Sequence, residues 1–147
     1  MAMTFAELVK LGIEKESDTE VFYRYWASNL SDPGARNLLS ELAEEEIKHR
    51  IFFEDLKEAD LQQGQAPQVL DLHMSDYLVS KDISEQSSVQ DVLISAIHRE
   101  ANAIKFFTDL ATQSSQMWAT FEKLAAEEKK HKLLLETYYD DNILTED

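Results

Sequence analysis

Cysteine is absent from this chain of 147 residues. Its absence excludes disulfides, thiolate zinc sites, iron–sulfur clusters and a catalytic thiol, so any metal held here takes oxygen and nitrogen ligands. Glycine and proline are scarce as well, with three and two copies, which leaves few places to break a helix. Basic residues are outnumbered by acidic ones, 14 to 29, and the net charge of −15 repels phosphate backbones and anionic lipid surfaces. Nucleic acid and membrane are therefore not expected partners. No apolar run approaches the roughly 20 residues that span a bilayer, and Met1 to Glu7 carries no basic region followed by an apolar one. The expectation is a soluble cytoplasmic protein.

What is abundant is Ala, Leu, Glu and Lys, the composition of long helices. This length can bury a continuous core, and residues 1–147 are read as one all-α domain. Thr4 with Glu7 forms a capping box, and Phe5, Leu8, Gly12, Thr19, Tyr23, Trp26 and Leu30 recur at helical spacing, predicting a helix over 4–30. Asp32 and Pro33 start a second helix over 33–60, with Leu38, Leu42, Phe53 and Leu56 inward. So short a connection makes the two antiparallel neighbours. Leu61 to Ser84 breaks the period with Gly64 and Pro67 and is long enough to cross the bundle, and Leu70 to Leu78 could form a short helix within it. Ser87 with Gln90 forms another capping-box pattern, opening a helix over 87–112 with Val89, Leu93, Ala96, Phe107 and Ala111 on one stripe. After Ser114 and Ser115 a fourth helix over 116–139 carries Phe121, Leu124, Leu135 and Tyr139 inward, and the acidic tail from Asp140 is expected to fray.

The two hairpins repeat one another. Ile13-Glu14-Lys15-Glu16, then Phe22-Tyr23, matches Ile97-His98-Arg99-Glu100, then Phe106-Phe107; Leu42 to His49 matches Leu124 to His131. Glu16 thus pairs with Glu100, Glu46 with Glu128 and His49 with His131. Residues three apart share a helix face, so each Glu-x-x-His can offer a carboxylate and an imidazole to one ion. Leu42 and Phe53 flank the first pair at helical spacing, Leu124 and Leu135 the second, Gly12 and Tyr23 flank Glu16, and Ala96 and Phe107 flank Glu100. All six point at the core.

Four carboxylates in a low-dielectric interior raise one another's pKa and cost several kcal/mol as an order of magnitude unless compensated. Two divalent cations do this directly, with Glu46 and Glu128 bridging while Glu16 with His49 and Glu100 with His131 complete the ends, a di-iron carboxylate arrangement. Glu45 and Glu127 also sit one turn before a histidine, but their flanks include Glu41 and Phe52 off the apolar stripe, so they are read either as flanking residues or as residues that back a metal ligand from outside. Glu20, one turn after Glu16, either edges the bundle or swings toward the metal. Tyr23 either hydrogen-bonds a ligand carboxylate or shuttles a proton there, or serves only as a core aromatic. Trp26, Trp118 and Tyr139 are read as packing residues, His73 and His98 as surface groups.

With Glu16, Tyr23, Glu46-Ile47-Lys48-His49, Glu100 and Glu128-Lys129-Lys130-His131 in this order, the sequence resembles the rubrerythrin branch of the ferritin-like superfamily. The resemblance covers all four helices and implies a ferritin-like four-helix bundle of two antiparallel helical hairpins joined by a long crossover. It further implies a non-haem centre of two Fe ions, in a cytoplasmic homodimer that reduces hydrogen peroxide or handles iron and dioxygen in defence against oxidative stress. Manganese or zinc are possible substitutes, since the ligand set accepts them. Rubrerythrins commonly add a rubredoxin-like domain, which this chain lacks, so an external electron donor such as a rubredoxin-like protein is expected. They also carry a further Glu one turn after the third-helix Glu, where this chain has Ala103; the six-ligand set left resembles a ferroxidase centre. A ferroxidase or iron-storage protein, and a bundle that metal merely stabilises, are the competing functions.

Overall fold

In the computed structural model, which describes residues 2–57, 70–73, 84 and 86–143, Thr4 opens α1 (Phe5–Asn29). Its hydroxyl accepts from the Glu7 N–H at 3.2 Å while the Glu7 carboxylate accepts from the Thr4 N–H at 3.1 Å. Asp32 caps α2 (Pro33–Asp55) through the Gly34 N–H, with Pro33 where a missing N–H leaves no bond unmade. The same Asp32 carboxylate accepts from the Tyr138 hydroxyl at 2.7 Å, and Gly34 leaves room for it, since a Cβ there would stand 2.6 Å from the Tyr138 oxygen. α2 ends earlier than expected because Leu56 turns to extended backbone and buries its side chain; residues 58–60 lie outside the described residues.

The second hairpin comprises α3 (Val89–Gln113) and α4 (Trp118–Asn142). α3 is capped by Ser88 with Asp91, not by Ser87 with Gln90. A carboxylate in the first turn is a stronger acceptor than an amide and complements the helix dipole, and the Ser87 hydroxyl is engaged instead by the Ser84 N–H at 3.0 Å. α4 continues past Tyr139 to Asn142, so Asp140 and Asp141 are helical, not frayed: Ile143 packs against the core and the Asn142 side chain bonds the Tyr138 carbonyl at 3.0 Å. Residues 144–147 lie outside the described residues. The short helix expected from Leu70 is corrected too. Leu70–His73 is a strand, β2, paired antiparallel with β1 (Ala2–Met3), Met3 opposite Leu70 and Ala2 opposite His73; residues 74–78 are outside the described residues.

The helices of each hairpin pack along their length, and α2 meets α4 across the bundle. The apolar core divides in two. At one end Met3, Leu8, Leu11, Phe53, Phe106, Phe107, Phe121 and Leu124 form a phenylalanine-rich cluster; at the other Tyr23, Trp26, Leu39, Leu42, Val92, Leu93 and Leu135 form the second. α2 therefore ends at the first cluster and α3 begins at the second, at opposite ends of the bundle. This is the ferritin-like all-α architecture expected from the sequence. No described helix is long and apolar enough to cross a membrane.

Candidate metal centre

Between the two apolar clusters lies a polar layer. Glu16 on α1, Glu46 and His49 on α2, Glu100 on α3, and Glu128 and His131 on α4 all point into it, none more than 5% exposed. The structure brings together all six residues singled out in the sequence. Their potential ligand atoms form two overlapping groups, Glu16, Glu46 and His49, and Glu46, Glu100, Glu128 and His131, within 4.8 Å of one another in each. Both imidazoles present Nδ1. His49 Nδ1 stands 2.8 Å from Glu128 Oε1, 3.7 Å from Glu46 Oε2 and 3.9 Å from Glu16 Oε2. His131 Nδ1 stands 3.5 Å from Glu46 Oε1, 3.5 Å from Glu128 Oε1 and 3.8 Å from Glu100 Oε2. Glu46 and Glu128 face both histidines, while Glu16 closes one end and Glu100 the other.

These approaches are not hydrogen bonds. Both Glu46 oxygens, Glu100 Oε2, Glu128 Oε1, both His49 nitrogens and His131 Nδ1 are buried without a hydrogen-bond partner. Interiors rarely leave one such atom unpaired, and here seven share one layer. Lone pairs that converge on a common region without satisfying one another are what a cation resolves, and oxygen with imidazole nitrogen suits iron, manganese or zinc. The residues present fit a metal centre, and the cluster is able to bind metal.

The charges of the metal-free cluster point the same way. Burial first, then the neighbouring Glu46 carboxylate, holds Glu16 well above the usual carboxylate range. Glu46 is pushed up to about 8 by burial and by Glu128, and Glu128 is raised by burial and by Glu100. Burial pushes His131 down, but the carboxylates of Glu100, Glu128 and Glu46 facing it outweigh that and hold it up at about 12. For Glu100 burial again opposes ionisation, yet His131, Glu128 and Tyr23 together leave it below the usual range. Without metal, protons and one Glu100–His131 pair stand in for the missing positive charge.

Tyr23 sits wholly buried at the edge of this layer and donates its hydroxyl to Glu100 Oε1. Burial and the Glu100 charge hold its pKa well above the ordinary phenol value, so it remains a donor. Of the two readings of Tyr23, ligand partner and core aromatic, the structure has both. Phe107, its repeat mate, offers no hydroxyl and packs edge-on to His49 with ring centroids 5.7 Å apart.

Glu20 stays at the bundle edge, held by Arg24 at 2.9 Å and Arg50 at 2.6 Å. Glu45 pairs with Lys48 at 3.3 Å. Glu127 turns one oxygen inward, 3.6 Å from His49 Nε2. Ala103 is buried, so no seventh carboxylate stands one turn beyond Glu100. Trp26 is in the core, Tyr139 packs at its margin and His98 is exposed, as expected, but Trp118 is 54% exposed at the start of α4, where the N-terminal residue of the helix faces away from the bundle. The His73 side chain lies outside the description.

Two residues escaped the sequence reading. Lys15 and Arg99 lie where α1 meets α3: Arg99 stands 4.3 Å from the Phe22 ring, and Lys15 stands 5.7 Å from the Phe106 ring and donates to Asn102 Oδ1. Burial, against the pull of Glu16, lowers Lys15 to about 8. Phe22 and Phe106 are themselves repeat mates, so each hairpin lays its cation on the other's ring. The signal was present in the alignment, which matches Lys15 to Arg99 directly before each inward glutamate. On the opposite side an open cleft of about 520 Å³ between α2 and α4 is lined by Glu41, Glu44, Glu45, Glu127, Lys130 and His131. The layer thus has a cationic seam on one side and an acidic mouth on the other.

A family model described as Rubrerythrin matches residues 7–139. Among solved structures, a protein of Thermotoga maritima described as ferritin-like diiron-carboxylate is 21% identical, with 94% of this chain and 95% of that one covered and a TM-score of 0.70. The dodecameric thioferritin of Bacteroides fragilis, a bacterioferritin-related protein, is 17% identical over 95% of this chain and 88% of that one, with a TM-score of 0.70. KatB, a manganese catalase from Anabaena PCC7120, is 20% identical over 96% of this chain and 74% of that one, with a TM-score of 0.68. At these identities the likeness is one of fold. Among curated proteins none matches by sequence.

Proposed function

This chain belongs to the rubrerythrin family, and from that premise we propose that it is a non-haem di-iron oxidoreductase reacting with hydrogen peroxide or dioxygen in oxidative-stress defence. The observation that carries the reading is the buried layer of four glutamates and two histidines in which seven side-chain oxygen and nitrogen atoms find no hydrogen-bond partner. Two iron ions held by Glu16, Glu46, His49, Glu100, Glu128 and His131 would supply adjacent one-electron couples, the inventory that a two-electron reduction of peroxide or dioxygen requires.

The chain's own residues supply the rest. Glu46 and Glu128, facing both imidazoles, are placed to be shared, and their raised proton affinity lets them take up or release protons as charge in the layer changes. Tyr23 keeps its proton on the hydroxyl oxygen and holds Glu100 Oε1, leaving Oε2 facing His131. The apolar clusters exclude water along the bundle axis, and the cleft beside His131 is wide enough for a small oxidant. These 147 residues contain no cysteine to bind a rubredoxin-type iron. We infer a separate rubredoxin-like electron donor, a homodimeric state and a cytoplasmic location.

Anaerobic Fe(II) loading followed by peroxide tests the reading. About two irons per chain, as the ligand set allows, with rapid oxidation lost in the Glu46→Ala, Glu128→Ala variant, is the expected result. A chain that binds no iron sinks it. A ferroxidase function is the second reading, favoured by Ala103 in place of a further carboxylate and by the acidic mouth above His131. Stoichiometric Fe(II) oxidation that no added donor converts to peroxide turnover would decide for it.

A further inference from the structure

We propose that Glu127 is a positioning residue for His49: its carboxylate accepts the His49 Nε2–H and so fixes the tautomer that keeps the Nδ1 lone pair on the cluster. The inference rests on the reading that the cluster binds metal. It makes the two metal positions unequal, one imidazole being backed by a carboxylate and the other not.

His49 is 2% exposed and neither of its nitrogens is hydrogen-bonded. Its Nδ1 faces three carboxylates of the layer, so in the neutral ring that offers Nδ1 as a ligand the proton resides on Nε2. A buried N–H needs an acceptor. Among the described residues the carboxylate facing Nε2 is that of Glu127, whose Oε2 is itself buried without a partner 3.6 Å away. That separation is beyond hydrogen-bond range, and a shift of about 0.6 Å closes it to the usual N–H···O distance. Glu127 has the freedom to make the shift, being 38% exposed along the cleft between α2 and α4. Phe107, edge-on to the imidazole at an interplanar angle of 77°, limits the ring to one plane.

The repeat supplies an internal control. Glu45 holds the equivalent position on α2, and its carboxylate is drawn outward to Lys48. Among the described residues the carboxylates within ion-pair distance of His131 are Glu46, Glu100 and Glu128, all on its Nδ1. Carboxylates that accept from the outer nitrogen of a ligating histidine orient the ring and raise its basicity, and their loss commonly costs about 10–100-fold in metal affinity.

Zn(II), which has no redox chemistry to confuse the readout, tests this in a chelator-competition titration of the whole chain. In Glu127→Ala one of the two Zn(II) equivalents should weaken by about 10–100-fold with the other unchanged. Glu127→Gln, which keeps an acceptor oxygen, should recover most of the loss, and Glu45→Ala should leave both equivalents alone. Nitrogen NMR of the Zn(II)-loaded ring should show a slowly exchanging Nε2 proton on His49 in the wild type and not in Glu127→Ala. An unchanged metal-free melting temperature would show that the fold is intact. Wild-type affinity for both equivalents in Glu127→Ala, or an equal loss in Glu45→Ala, overturns the proposal and leaves the metal reading standing. If the wild-type chain binds no Zn(II) or Fe(II), both fall.

Discussion

The two hairpins carry the same candidate ligands but not the same neighbours. On one side Glu100 is held by the Tyr23 hydroxyl; in the other half the repeat mate of Tyr23 is Phe107, which has no hydroxyl to donate. Glu127 turns toward His49 while Glu45 turns toward Lys48. Glu20 is locked between two arginines, whereas its repeat mate Ile104 is a half-buried apolar residue. The candidate ligands stay alike because each must reach the same layer from an equivalent place on its helix. Residues one contact further out are free to differ, and they are where two halves of a repeat become chemically distinct.

Removing what the halves share should have the largest effect. Metal binding only to the native state stabilises it, by about 2.7 kcal/mol when free metal is a hundredfold above Kd. In the Glu46→Ala, Glu128→Ala variant that gain should vanish, read as a melting temperature that no longer rises with added Fe(II) or Zn(II).

Next comes pH, which tests whether protons stand in for metal in both halves. Glu46, ordinarily near 4.5, is raised to about 8 in the fold, and Glu16 and Glu128 are raised as well. The metal-free native state therefore binds more protons than the unfolded chain, so its stability is fullest below pH 4.5 and falls as pH rises toward 8. His131, raised from 6.5 to about 12, has the same sign. Each such group contributes a slope of up to about 1.4 kcal/mol per pH unit. Glu100, lowered, contributes the opposite way: its share is present above pH 4.5 and lost as pH falls through its depressed pKa. Urea unfolding of chelator-treated protein should show the decline between pH 5 and 8, and metal-loaded protein should not, because metal takes the place of the protons.

Tyr23→Phe sharpens the comparison by making the two halves alike. It leaves Glu100 Oε1 without its donor and should cost about 1.5–3 kcal/mol in urea unfolding, the range for a hydrogen bond to a charged group. The smallest effect belongs to the seam between α1 and α3. Arg99→Ala should cost about 0.5–2 kcal/mol through loss of the cation over Phe22, measured as a small drop in melting temperature. A larger drop would mean that the seam, and not the metal layer, joins the hairpins.

The helices and the six inward residues were readable in one dimension because both depend on local spacing: Glu46 and His49 share a face whatever surrounds them, and Leu42 and Phe53 show that the face is the buried one. Caps were readable to within a residue. The Ser88–Asp91 box replaced Ser87–Gln90 because two adjacent serines offer the same pattern, and the acceptor strength of Asp91 decides between them. The β1–β2 pairing had no such signal, since Ala2–Met3 and Leu70–His73 are far apart in the chain and short segments carry no diagnostic period.

By itself the sequence determined the all-α class, the repeat and the six candidate ligands, because helical periodicity converts spacing along the chain directly into a shared face. Only the tertiary structure decided that Glu46 and Glu128 face both histidines, that Tyr23 donates to Glu100, and that Glu127 and Glu45 turn opposite ways. Those are contacts between helices, and the rotation of each helix against its neighbours is set by how Gly12 admits the Phe53 ring and how the two apolar clusters close around the layer. That packing depends on all four helices at once.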